Sequence, residues 1–87
     1  MDIHFDKLND EFEPSEKLRK YIKEFFGKNV VVRLKNGKVV SGIFENYQRP
    51  ADNEDICWSI DILDKNKISL VYILDTEIES MKELNTN

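Results

Sequence analysis

The clearest pattern in this chain is an alternation of apolar and polar positions that begins near residue 28. Val30, Val32 and Leu34 occupy every second position, with Arg33 and Lys35 between them. Successive side chains of a β-strand point to opposite faces of the sheet, so a period of two predicts a half-buried strand.

A hairpin turn and a bent return strand are predicted next. Asn36 and Gly37 both tolerate positive φ, which predicts a two-residue primed turn. The return strand runs over residues 38–47 and carries Gly42 in its middle, where the missing side chain permits a sharp bend or a bulge. We therefore expect valine at position 42 to unfold or dissociate the protein, because a β-branched residue cannot follow such a bend.

An amphipathic helix is predicted ahead of this hairpin. Pro14 suits a first helical position and Ser15 suits an N-cap, so the start has two candidates. Gly27 is typical of the position just beyond a helix end. The apolar residues recur at helical spacing and predict a stripe that packs on the core: Leu18, Tyr21, Ile22, Phe25 and Phe26.

Three further strands are predicted after the hairpin. Residues 48–55 contain proline, asparagine and acids and predict a loop. Isoleucines then alternate with polar residues over 56–62, and Trp58 lies on the apolar side of that alternation. Shorter apolar runs predict strands at 68–73 and 78–81. The predicted order is one helix followed by five strands, a mainly β class.

The length of 87 residues predicts one domain, at 14–83, between a flexible N-terminal segment at 1–13 and a C-terminal tail at 84–87. We find no run of about 18 apolar residues that would span a membrane. The first residues are too acidic and polar for a secretory signal, so we expect a cytoplasmic protein.

Few residues suggest chemistry. Cys57 is the single cysteine and His4 the single histidine, so neither an internal disulfide nor a four-ligand zinc site is expected. The chain has no glycine-rich phosphate loop and no recognisable nucleophile with a base, so neither catalysis nor a cofactor is expected.

Charge is unevenly distributed along the chain, whose net charge is -4. Residues 50–87 carry nine acids and three bases, whereas residues 28–49 carry five bases and one acid. A basic hairpin attracts phosphates, but exposed lysines are also an ordinary way to keep a hairpin soluble. The island consists of Lys28, Arg33, Lys35, Lys38 and Arg49, opposed by Glu45.

The order of elements and the hairpin motif resemble the Sm-like family, which includes Sm, LSm and Hfq-type proteins. The resemblance covers about residues 14–82. It implies an N-terminal helix on a strongly bent, five-stranded antiparallel small barrel. The positions that carry it are Val30, Val32, Leu34, Asn36, Gly37, Gly42, Phe44 and Tyr47.

The family binds single-stranded RNA as a ring, in which the fourth strand of one subunit pairs with the fifth strand of the next. The resemblance therefore implies a homo-oligomeric ring and RNA contacts in the loop after the aromatic residue. After that aromatic residue the family has an Asp and then an Asn, where this chain departs from the pattern with Gln48, Arg49, Asp52 and Asn53. The candidate RNA-binding residues are therefore Tyr47, Gln48, Arg49 and Asn53, with Trp58 as a further stacking candidate beside the positive charge.

The second Sm motif differs from the family pattern. The family has a basic residue and a glycine before the last strand, where this chain has Leu74, Asp75 and Thr76. An alternative function is therefore a non-enzymatic module that keeps the barrel, has lost RNA binding, and recognises a protein partner through its acidic C-terminal half.

Overall fold

The computed structural model describes residues 13–84 and shows a helix followed by a five-stranded antiparallel sheet. The predicted mainly β class and element order are therefore confirmed. The proposed flexible segment and tail lie outside the described residues, except Glu13 and Leu84. The elements are α1 Glu16–Phe25, β1 Asn29–Leu34, β2 Val39–Gln48, α2 Pro50–Asn53, β3 Ser59–Asp64, β4 Ser69–Leu74, a 3-10 turn Asp75–Glu77, and β5 Ile78–Glu83.

The strands lie in the order β4-β3-β2-β1-β5, and each pairs antiparallel with its neighbours. Strands β4 and β5 are the two edges, and no ladder joins them within residues 13–84. The sheet is thus open, and closure into the predicted barrel is not confirmed. In the same part of the chain, neither helix has the length and apolar character needed to cross a bilayer.

Helix α1 begins at Glu16 with Ser15 as its N-cap, which resolves the two sequence candidates in favour of Ser15. The Ser15 Oγ accepts a hydrogen bond from the Leu18 backbone N–H at 3.0 Å. The Ser15 N–H and hydroxyl also donate to the buried Asp75 carboxylate, at 3.0 and 2.8 Å. The helix start is therefore joined to the turn between β4 and β5, 60 residues away.

The core lies between α1 and one face of the sheet. Tyr21, Ile22 and Phe25 are partly buried against it, as the predicted helical stripe requires. Phe26 departs from that stripe: it follows the last helical residue and is 47% exposed. The buried apolar residues are Leu18, Val30, Val32, Phe44, Ile60, Ile62, Ile73, Ile78 and Met81.

The turn between β1 and β2 differs from the predicted two-residue primed turn. Gly37 has φ of 92°, but Asn36 has no positive φ. The Gly37 N–H donates to the Leu34 carbonyl at 2.9 Å, and the Leu34 N–H donates to the Lys38 carbonyl at 2.8 Å. This is a three-residue connection, in which only the last residue must be left-handed. The Asn36 side chain instead accepts from the Lys38 N–H at 2.9 Å.

Gly42 lies directly before Ile43, the residue at which β2 passes from one neighbouring strand to the other. Residues up to Ile43 pair with β1, and residues from Ile43 onward pair with β3. A Cβ at Gly42 would lie 2.0 Å from the Leu63 carbonyl oxygen. The register shift itself follows, between Phe44 and Asn46. Glycine is required here because the β3 backbone occupies the space of a side chain.

The third and fourth strands begin later than the sequence pattern predicts. Ile56 is 85% exposed and unpaired with the sheet, and β3 starts only at Ser59, opposite Gln48. The predicted loop contains the four-residue helix α2. Ile68 precedes β4 with φ of 51°, so it lies in the turn rather than in the strand.

Candidate nucleic-acid interface

Three aromatic side chains from separate parts of the chain meet at one end of β2. We call Phe26, Tyr47 and Trp58 the aromatic row. The ring centroids of Phe26 and Tyr47 are 5.2 Å apart in an edge-to-face arrangement. The Tyr47 and Trp58 rings are stacked, with centroids 6.2 Å apart. Phe44 lies fully buried beneath, 5.5 Å from Phe26. Such pairs stabilise one another beyond their burial, which fixes the rings in place.

Backbone hydrogen bonds hold the segments that carry two members of the row, Phe26 and Trp58. The Gly27 N–H donates to the Phe44 carbonyl at 2.8 Å, and the Phe44 N–H donates to the Lys28 carbonyl at 3.0 Å. The end of α1, and with it Phe26, is therefore fixed to β2. The Trp58 carbonyl accepts from the Asp75 N–H at 2.7 Å, which anchors the start of β3 to the 3-10 turn.

The row reaches solvent through two of its members. Phe26 is 47% exposed and Tyr47 is 38% exposed, while Trp58 is half-buried. The helical spacing placed Phe26 in the core and so missed it as a surface residue. The available signal was its position directly before Gly27, where the helix ends and the side chain leaves the helical stripe.

Arg49 lies at the surface next to this row in sequence. Its Nε donates to the Asp52 carboxylate at 3.2 Å, and both side chains are more than half exposed. Exposed ion pairs of this kind contribute about 0 to 1 kcal/mol. A phosphate can therefore replace Asp52 as the partner of Arg49 at little cost.

Gln48 lies on the other face of the sheet and contacts a carboxylate. Its Nε2 donates to Asp61 Oδ2 at 3.3 Å, and Asn46 Nδ2 donates to the same oxygen at 3.4 Å. Asp61 is buried, and the amides supply donors to a group that would otherwise be costly to bury. The Gln48 side-chain amide therefore hydrogen-bonds within the sheet, and its contact with RNA stays a prediction.

Asn53 organises the loop between β2 and β3. Its Nδ2 donates to the Cys57 carbonyl at 3.1 Å and to Ser59 Oγ at 2.8 Å. Its Oδ1 accepts from the Asp55 N–H at 2.7 Å. Both ends of the side-chain amide are engaged, so Asn53 shapes the loop that leads to Trp58.

Acids dominate the loop itself. Asp52 and Glu54 are exposed, and Asp55 accepts a hydrogen bond from the Tyr72 hydroxyl at 3.1 Å. Desolvation, the hydrogen bond to Asp55 and the charge of that carboxylate raise the pKa of the Tyr72 phenol above 10.0. The phenol therefore remains a protonated donor at neutral pH.

Within residues 13–84, no three or more His, Cys, Asp or Glu side chains are grouped so as to hold a metal ion. Cys57 Sγ lies 3.8 Å from Thr76 Oγ1. Comparisons with protein-family models, curated proteins and solved structures found no match to this chain. Membership of the Sm-like family therefore stays a prediction that rests on the sequence motif.

Proposed function

We propose that this chain is a non-enzymatic RNA-binding protein that holds single-stranded RNA on its aromatic row. The observation that carries the proposal is the exposed contact between Phe26 and Tyr47, backed by the stacked ring of Trp58. Aromatic faces stack on any base, so the surface suits single strands without strong sequence preference.

Two cations support the same ligand. Arg49 and Lys28 flank the row in sequence, and their present partners, Asp52 and Glu83, are exposed. Replacing a weak surface ion pair by a contact to phosphate favours RNA binding at low salt, and the affinity for RNA falls as the salt concentration rises. The acidic loop around Glu54 opposes broad phosphate binding, so stacking carries most of the expected affinity.

The test is fluorescence anisotropy of a labelled pool of random single-stranded RNA, titrated at low and then physiological salt. Each stacked base contributes about 1 to 3 kcal/mol, so Tyr47→Leu is expected to weaken binding by roughly 5- to 150-fold. Tyr47→Phe keeps the ring and is the matched control. Arg49→Ala is expected to reduce the salt dependence, whereas Arg33→Ala, on the exposed side of β1, is not.

A second candidate is a protein-binding module, favoured by the acids Asp52 and Glu54 beside the exposed rings. Absence of saturable RNA binding at either salt would overturn the RNA proposal. Retained folding in that case, shown by an unchanged circular dichroism spectrum, would direct attention to basic protein partners.

A further inference from the structure

The two edges of the sheet are protected to different degrees. On β5, Glu79 is an extra residue opposite the Arg33–Leu34 step of β1, so the edge is bulged. Lys17 Nζ donates to the Ile78 carbonyl at 2.5 Å and lies 3.4 Å from the Glu79 carbonyl. Bulges and lysines are devices by which edge strands avoid pairing with another chain.

Strand β4 carries neither device. Its residues, Ser69–Leu74, include no charged side chain, and all of them pair with β3 without a register shift. Leu70 and Tyr72 are exposed on it. A regular, uncharged and apolar edge presents unpaired backbone groups as a template for another strand.

Further apolar surface continues from this edge. Ile68, directly before β4, is 84% exposed. Ile56 is equally exposed. It lies near Tyr72, because the Asp55 carboxylate accepts hydrogen bonds from both the Tyr72 hydroxyl and the Ile56 N–H. We call Ile56, Ile68, Leu70 and Tyr72 the β4 patch. Contiguous exposed apolar residues of this kind mark association surfaces.

We infer that the β4 edges of two copies of this chain pair antiparallel, giving a dimer with two-fold symmetry. The inference does not depend on RNA binding. It differs from the ring implied by the Sm-like resemblance, in which β4 would pair with the bulged, lysine-covered β5 edge of a neighbour.

Antiparallel self-pairing suits the sequence of β4 and its flanks. In a register centred on Val71, Leu70 of one copy lies opposite Tyr72 of the other, so apolar residues meet on the exposed face. The same arrangement brings the turn with Lys65 and Lys67 beside the opposite end of β4, which leads to Glu77. Opposite charges then meet at both ends of the interface.

The first test is native mass spectrometry of the full chain without RNA, where a dimer is expected. Leu70→Lys places a charge on the exposed edge and is expected to give a monomer with an unchanged circular dichroism spectrum. Lys82→Glu, an exposed change on β5, is the matched control and should leave the dimer intact. A wild-type monomer at about 100 µM would overturn the inference, since the dissociation constant of the dimer would then exceed that concentration.

The second test separates the dimer from a ring. In a Cys57→Ser background, Val71→Cys places two thiols opposite each other at the two-fold axis, within the Cα spacing of a disulfide. Mild oxidation is expected to give a covalent dimer on a non-reducing gel, while Val39→Cys, exposed on an interior strand, is not. A mass above the dimer without a Val71→Cys cross-link would favour pairing of β4 with β5.

Discussion

Replacement of Gly42 by alanine tests the central geometric feature of this fold. The added Cβ would lie 2.0 Å from the Leu63 oxygen, 2.7 Å from the Leu63 carbonyl carbon and 3.1 Å from Ile62 Cγ2. An ordinary contact begins near 3.4 Å, so the Leu63 peptide must move by more than 1 Å. That peptide belongs to the β2–β3 ladder, where Ile43 pairs with Leu63.

The magnitude follows from two costs. Overpacking costs about 1 to 3 kcal/mol. A displacement of this size also lengthens neighbouring ladder hydrogen bonds beyond their useful range, at about 1 kcal/mol for each bond lost. We therefore expect Gly42→Ala to lower the free energy of unfolding by about 3 kcal/mol, against a total of about 4 to 13 kcal/mol for a chain of 87 residues. The melting temperature should fall by about 12 to 24 °C.

Urea unfolding followed by the fluorescence of Trp58, the single tryptophan, and by circular dichroism measures this cost. The matched control is Gly37→Ala. Both glycines have a positive φ that disfavours alanine, 156° at Gly42 and 92° at Gly37. A Cβ at Gly37 would have no neighbour within 4 Å, so only the backbone cost of about 1 to 2 kcal/mol applies there. Equal losses in the two variants would refute the close approach of Leu63 as the reason for glycine at position 42.

Three other changes probe the local interactions. Ser15→Ala removes the N-cap and one partner of the buried Asp75, so unfolding in urea should show a loss of about 1 to 3 kcal/mol; a loss under 0.5 kcal/mol would contradict that role. Ile68→Gly removes the backbone strain of a β-branched residue in the left-handed conformation and should raise the melting temperature by about 4 to 8 °C. Loss of self-association through the β4 patch opposes this gain, so the melt is repeated in the Leu70→Lys background. Asn53→Ala should destabilise the protein by about 1 to 3 kcal/mol in urea, because it removes the hydrogen bonds of Asn53 to the buried Ser59 and from the Asp55 N–H. An unchanged midpoint would show that the loop does not depend on this amide.

Local sequence patterns predicted the fold well where the apolar positions of the pattern are also the positions that pack in the core. Val30 and Val32 alternate in sequence and are fully buried, because β1 is paired on both sides and only one of its faces meets the core. Leu18 and Gly27 likewise fall where helical spacing and helix termination put them.

The candidate RNA-binding residues show where such patterns stop being informative. Tyr47 and Arg49 lie at the surface, whereas Gln48 and Asn53 are tied to Asp61 and to the β2–β3 loop. These four residues are close neighbours in sequence, so spacing alone cannot separate them. The partner of Gln48 lies on β3, and the partners of Asn53 lie in the loop and at the start of β3. The folded structure therefore determines which side-chain amide is bonded within the protein.

By itself, the sequence determined the mainly β class, the order of helix and strands, and the hairpin. These depend on side-chain period and backbone freedom, which are local properties. Tertiary structure alone decided the start of β3 after Ile56, the exposure of Phe26 beside Tyr47, and the unequal edges β4 and β5. Each of these features depends on which distant segment of the backbone packs beside it, and apolar periodicity does not specify that segment.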